Sequence, residues 1–159
     1  MRKIVIAFLF TVSIFSASAQ NASVIKLKEF QELLNRKTDT TYVINFWATW
    51  CAPCVAELPD FLKAEAELKD KKVKFYFINL NFKKEFESLV LPFLKKKEMK
   101  STVYLLNEPD YNSWIDKVSP SWSGAIPATL IISKPDSNVF TEGSYTYEML
   151  TEVLKNKIK

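Results

Sequence analysis

Histidine is absent from the 159 residues, and glycine is nearly so, with only Gly124 and Gly143. Without an imidazole there is no Ser-His-Asp or Cys-His relay, no HExxH zinc site and no Cys2His2 finger. Two isolated glycines cannot build the glycine-rich loops that cradle phosphates in dinucleotide-binding or P-loop proteins. Arginine is scarce too. Beyond Arg2 there is only Arg36, so the bidentate contacts that read bases and phosphates are nearly unavailable, and nucleic acid is not an expected partner. The lysines within 69–74 and 95–97 stand near expected helix ends, where cations complement the helix dipole.

What is present suits a single domain. The chain is 48% hydrophobic and 25% charged, close to an ordinary globular composition. Its first residues are atypical of the rest: a basic tip, Met1-Arg2-Lys3, precedes an apolar run from Ile4 to Phe15 and then the small residues Ala17-Ser18-Ala19. That three-part pattern predicts a cleavable secretory signal over 1–19 and a mature domain over 20–159. A retained N-terminal membrane anchor is the alternative, although the apolar run is short for a bilayer span. Removing Arg2 and Lys3 leaves 20 basic against 18 acidic residues, so the net charge falls from +4 to +2. Export to the periplasm is expected, where disulfides can persist.

Periodicity predicts the elements. Leu27–Asn35 reads as a helix through Leu27, Phe30, Leu33 and Leu34. Tyr42–Ala48 and Val73–Leu80 read as strands buried on both faces. Cys54–Asp70 and Glu85–Lys97 read as helices, Thr102–Leu106 as a strand and Asn112–Val118 as a short helical piece. Ala128–Ser133 and Val139–Glu142 form a hairpin around turn chemistry at 134–138, and Tyr145–Lys157 closes the chain as a helix. Strands alternating with helices imply an α/β fold: a central, mostly parallel sheet with an antiparallel terminal hairpin and helices on both faces.

Only two cysteines occur, in Trp50-Cys51-Ala52-Pro53-Cys54, where a strand gives way to a helix. Positions i and i+3 of a helix share a side, which brings both sulfurs within bonding reach. Unpaired N–H groups and the dipole at a helix N-terminus stabilise a thiolate, lowering a thiol's pKa below its free value of about 8.5. Pro53 suits the first turn, where its missing N–H costs nothing. A purely structural bridge closing so short a loop gains little chain entropy. Two sulfurs without histidine cannot complete a structural zinc site, and copper(I) carriage leaves the flanking Trp50 and the inserted Pro53 without a purpose. Reversible redox exchange is the favoured chemistry, with no cofactor or metal beyond the cysteine pair itself.

The stretch 43–59, which runs Val43-Ile44-Asn45-Phe46-Trp47-Ala48-Thr49-Trp50-Cys51-Ala52-Pro53-Cys54-Val55-Ala56-Glu57-Leu58-Pro59, resembles the thioredoxin-like superfamily, and within it the TlpA/ResA-like exported thiol-disulfide oxidoreductases. The resemblance implies a thioredoxin-like fold in which 85–97 and 102–106 are an inserted βα-type unit. It implies that Cys51 attacks and Cys54 resolves, and that Trp50 and Pro53 lie at the substrate-facing rim. Gly124-Ala125-Ile126-Pro127-Ala128-Thr129 is similar to the family's cis-proline loop, with Ile126 offering its backbone to substrate beside Pro127. Glu57 matches an acidic residue of that branch and is a candidate proton acceptor for Cys54; a plain surface glutamate is the other reading. Of the remaining tryptophans, Trp47 is expected in the core, and Trp114 and Trp122 are expected to pack rather than to touch substrate.

The expected partners follow from the same resemblance: exported protein thiols and disulfides, apocytochrome c among the candidates, and a membrane-bound thiol reductant carrier, since no third cysteine can supply electrons. A monomer is expected. Two other functions remain open at this stage. One is a disulfide-donating oxidant, against which the Ala52-Pro53 middle pair argues because it lacks a thiolate-stabilising histidine. The other is a non-catalytic binding module on the same fold.

Overall fold

The computed structural model describes residues 21–36, 38–133 and 137–158. The expected leader and part of the turn at 134–138 therefore lie outside the described residues. Six strands form one sheet: β1 (Ala22–Ile25), β2 (Thr41–Trp47), β3 (Val73–Asn79), β4 (Thr102–Leu106), β5 (Ala128–Ile132) and β6 (Val139–Glu142). Their spatial order is β1-β4-β3-β2-β5-β6. The first four run parallel to one another, whereas β5 is antiparallel to both β2 and β6. This is the mixed α/β sheet of a thioredoxin-like fold, with the α/β alternation producing parallel strands through helical crossovers.

Every residue of β2 is buried, and the strand's two-residue period sorts them. Tyr42, Ile44 and Phe46 enter one apolar layer with Phe30 and Leu33 of α1 (Leu27–Leu34), and with Trp114, Val118 and Trp122. Val43 and Trp47 enter the other, with Phe61 and Ala64 of α2 (Ala52–Glu67) and Leu150 and Leu154 of α5 (Tyr147–Lys155). Asn45 shares this second alternation with Val43 and Trp47, so the fold places its amide under α2. Trp47 and Trp114 are fully buried and Trp122 nearly so, each in a packing role.

Three features depart from the expected elements. Strand β1 was not anticipated: its four residues are partly exposed, yet they pair in parallel with 103–106 of β4 and complete the edge. The helix expected over Glu85–Lys97 is three pieces: a 3-10 turn Lys83–Glu85, a π turn Phe86–Val90 and α3 (Leu91–Lys96). Pro92 supplies a reason. It has no N–H, and its ring conflicts with the carbonyl four residues back, so the chain widens to an i→i+5 turn in which Leu91 N–H donates to the Phe86 carbonyl. The piece expected over 112–118 divides into a 3-10 turn, Tyr111–Ser113, and the single-turn α4 (Ile115–Val118).

Candidate active site

Strand β2 ends at Trp47, and after three intervening residues the chain enters α2 with Cys51 as its N-cap in extended conformation. The helix thus begins two residues before the expected Cys54, and Pro53 occupies its first turn. Cys51 and Cys54 are joined as a disulfide. The Cys54 N–H lies 3.3 Å from Cys51 Sγ, so one of the orphan donors of the helix N-terminus points at that sulfur. Neither sulfur-bearing residue is openly exposed: Cys51 is 6% accessible and Cys54 is closed off entirely. Trp50 does reach solvent, with 64% of its surface exposed.

Facing Cys51 is the loop before β5. The Ile126–Pro127 peptide bond is cis, and the Ile126 carbonyl oxygen stands 3.7 Å from Cys51 Sγ. A disulfide sulfur has no proton, so this is a contact in the oxidised chain. On reduction, a Cys51 thiol has that carbonyl as its acceptor. The loop is held from both sides. Trp122 Nε1 donates to the Ala125 carbonyl at 2.8 Å, and Ser123 donates to Glu142 of β6 through both its N–H and its hydroxyl. These bonds hold the Glu142 carboxyl below its ordinary range. Gly143 N–H reaches the Pro127 carbonyl at 2.8 Å. Gly124 turns the loop at φ +93°, in the region that glycine enters without a side-chain clash.

Beneath the pair lies Glu57, three residues along α2 from Cys54 and therefore on the same side of the helix. It is only 3% exposed, which removes the surface-glutamate reading. Its Oε1 accepts from Asn45 Nδ2 at 2.8 Å, and its Oε2 accepts from the Tyr145 N–H at 2.9 Å. Asn45 Nδ2 also donates to Thr129 Oγ1 at 3.2 Å, across the β2–β5 register that sets these two residues opposite each other. Burial pushes the Glu57 carboxyl up to about 7; the two hydrogen bonds pull the other way, and the Asp60 charge adds to the rise. A carboxyl poised there can exchange a proton near neutral pH.

A second polar group was missed by sequence reasoning. Asn81 Oδ1 accepts the Thr49 N–H at 2.9 Å, while its Nδ2 donates to Thr49 Oγ1 at 2.8 Å and to Glu85 Oε2 at 3.0 Å. Asn79 Nδ2 donates to Asn81 Oδ1 as well. This clasp ties the end of β3 to the turn that carries Cys51. Its visible signal was Asn79-Leu80-Asn81, two amides interrupting an apolar strand end. Tyr145 left no comparable signal, because it contributes a backbone N–H. Arg36, in contrast, is remote from the cysteines: it donates to Tyr76 Oη at 2.8 Å and lies over the rings of Tyr42 and Tyr76.

The fold and this cysteine turn define a thioredoxin-like protein, and residues 21–90 match the thioredoxin family model. Its curated relatives include thiol-disulfide oxidoreductases named ResA. The thiol-disulfide oxidoreductase ResA of Bacillus thuringiensis is 32% identical over 117 residues, covering 70% of this chain and 60% of ResA. ResA of Oceanobacillus iheyensis is 46% identical over 39 residues, 24% of this chain and 20% of that protein. The chain thus spans three fifths or less of the length of these curated relatives. Among solved structures, StoA from Bacillus subtilis superposes with a TM-score of 0.58 at 22% identity, over 75% of this chain and 84% of StoA. A thioredoxin family thiol:disulfide interchange protein from Chlorobium tepidum superposes at 0.62 and 21% identity, over 75% and 80% of the two chains. Likeness at that identity speaks for the fold.

Proposed function

We propose that this chain is an exported thiol-disulfide oxidoreductase that reduces disulfides of other exported proteins. The observation that carries the reading is Cys51 Sγ set at the N-cap of α2, receiving the Cys54 N–H and facing the Ile126 carbonyl of the cis-proline loop. Donors at a helix start favour the thiolate as both attacking and leaving group. The names of the ResA relatives support the same chemistry.

In the reducing direction the Cys51 thiolate attacks one sulfur of a client disulfide. A Cys51–client S–S bond forms, the client bond breaks, and the client's second sulfur leaves as a thiolate that takes a proton from solvent. Cys54 then loses its proton to the ionised Glu57 carboxylate and attacks Cys51 Sγ. The Cys51–Cys54 bond forms and the mixed disulfide breaks. The client sulfur that leaves Cys51 departs as a thiolate and takes a proton from solvent, to which Glu57 returns the one it accepted; the client then carries two thiols and this chain the oxidised pair. Two electrons have moved to the client. They are restored by a partner dithiol, for which a membrane-bound reductant carrier is the proposed source. Trp50, Pro53, Ile126 and Pro127 form the surface on which the client segment lies.

Cys54→Ser tests the reading directly, because it stops the cycle after the first step. Expressed with its native leader in the native host, this variant accumulates mixed disulfides through Cys51 with exported proteins. In the purified wild type, reduced Cys51 is alkylated faster at pH 7 than free cysteine, and the equilibrium potential against glutathione lies nearer −270 mV than −120 mV. A potential near −120 mV would instead mark a disulfide donor. Absence of any trapped partner, together with a bridge that small dithiols cannot open, would mark a binding module.

A further inference from the structure

The clasp at Asn81 does more than close the end of β3. Thr49 and Asn81 are bonded to each other twice, and each is followed at once by an exposed aromatic residue: Trp50 at 64% and Phe82 at 65%. Consecutive Cα atoms are 3.8 Å apart, so Trp50 and Phe82 leave the same junction with Cα atoms at most about 15 Å from each other. Among the described residues most other aromatic side chains are buried or half-buried, and Phe82 is more exposed than Tyr111, Leu89 or Met149. Three polar residues, Asn79, Asn81 and Glu85, fix the loop that presents it; Glu85 also accepts from the Phe82 N–H. A rigid loop presenting an aromatic side chain to water beside a reactive pair has the anatomy of a binding anchor.

Charge selects the partner. Lys83 and Lys84 are exposed, and among the described residues neither forms an ion pair; the Lys84 ammonium lies 5.7 Å from the Phe82 ring centroid. Glu85, the nearest acidic residue in sequence, is engaged by Asn81, and exposed Glu87 follows a few residues on. At the loop before β5, Glu142 is bound to Ser123.

We propose that Trp50, Phe82 and the Lys83–Lys84 pair form a docking edge for a particular kind of client: a protein segment with a large apolar or aromatic side chain and acidic residues flanking its reactive disulfide. The proposal rests on the redox reading and adds the substrate class to it. Phe82 and Trp50 cover the client's apolar side chain, the two ammonium groups meet its carboxylates, and its cystine falls on Cys51. Steering of this sort acts mainly on encounter rate and weakens as salt screens it.

The test uses the reduced full-length chain and three disulfide-bridged peptides that differ only in their flanks: Phe with two Asp, Phe with two Lys, and Ser with two Asp. Second-order reduction rates are followed by fluorescence. At low ionic strength the acidic Phe peptide reacts about tenfold faster than the basic one, and the ratio falls toward one in about 0.5 M salt. K83E/K84E inverts that ratio. F82S abolishes the advantage of the Phe peptide over the Ser peptide. K69E/K71E changes net charge equally at the far end of α2, about 24 Å from Cys51 by helix length, and keeps the wild-type ratio. Peptides that all react at one rate, or a ratio that K83E/K84E leaves unchanged, overturn the docking edge while leaving the redox reading intact. A chain that reduces none of the peptides, and whose bridge dithiothreitol cannot open, loses both.

Discussion

At the scale of single residues, the position that matters most is one whose role depends on a partner across the sheet. Glu57 was legible as a candidate because it falls three residues after Cys54 in a recognisable stretch. Its burial was not legible from α2 alone. What encloses it is the alternation of β2, which sends Asn45 to the α2 side, and the backbone of Tyr145 from the far end of the chain. Asn45→Leu removes one of the two donors to the carboxylate without adding a charge. The Glu57 carboxyl then titrates higher than the value of about 7 that it has with both donors in place. A carboxyl-carbon NMR titration of selectively labelled protein checks the direction, and the pH profile of peptide-disulfide reduction moves upward with it. A shift downward, or none, would mean that Asn45 does not hold the ionised form.

At the scale of elements, strands β2, β3 and β5 and helices α2 and α5 were all legible, since their apolar periods are strong and long enough to stand above local noise. Strand β1 was not, because a partly exposed four-residue segment carries little pattern of its own; its identity comes from pairing with β4. The broken helix between β3 and β4 is a similar case. Phe86, Val90 and Leu94 recur every four residues and all three are buried, so the period is genuine even though Pro92 changes the helix type beneath it. The Asn81 clasp fixes where this unit meets the Cys51 turn. Asn81→Ala leaves the Thr49 N–H without its partner and the Glu85 carboxylate with only the Phe82 N–H, and costs about 1–3 kcal/mol of stability. Denaturant unfolding measures that loss. Hydrogen exchange also quickens at 49–51 and 82–86 but not in α5, because the clasp joins only the first two segments.

At the scale of the whole molecule, the sheet separates two apolar layers, and one of them encloses an ionisable group, Glu57, with no cation beside it among the described residues. Folding must then depend on pH in a specific direction. The Glu57 carboxyl is raised from an ordinary 4.5 to about 7 in the folded chain, so between those values the native state binds more protons than the unfolded one. Stability is greatest below about pH 4.5 as far as this group is concerned, and falls as pH rises through the folded value. The full loss is about 3 kcal/mol, reached above roughly pH 7.5. Glu57→Gln removes the proton and with it this dependence, while the Asn45 amide, whose Oδ1 has no partner, can turn to accept from the new side chain. Urea unfolding of both oxidised proteins at pH 4.5, 6 and 8 gives the comparison. The wild type loses ground to Glu57→Gln at each step upward, and the two differ by a few kcal/mol more at pH 8 than at pH 4.5. Parallel curves would place the carboxylate in contact with water. The same comparison in the reduced state then isolates Cys54, since any pH dependence that appears only with free thiols and only with Glu57 present belongs to the proton shared between them.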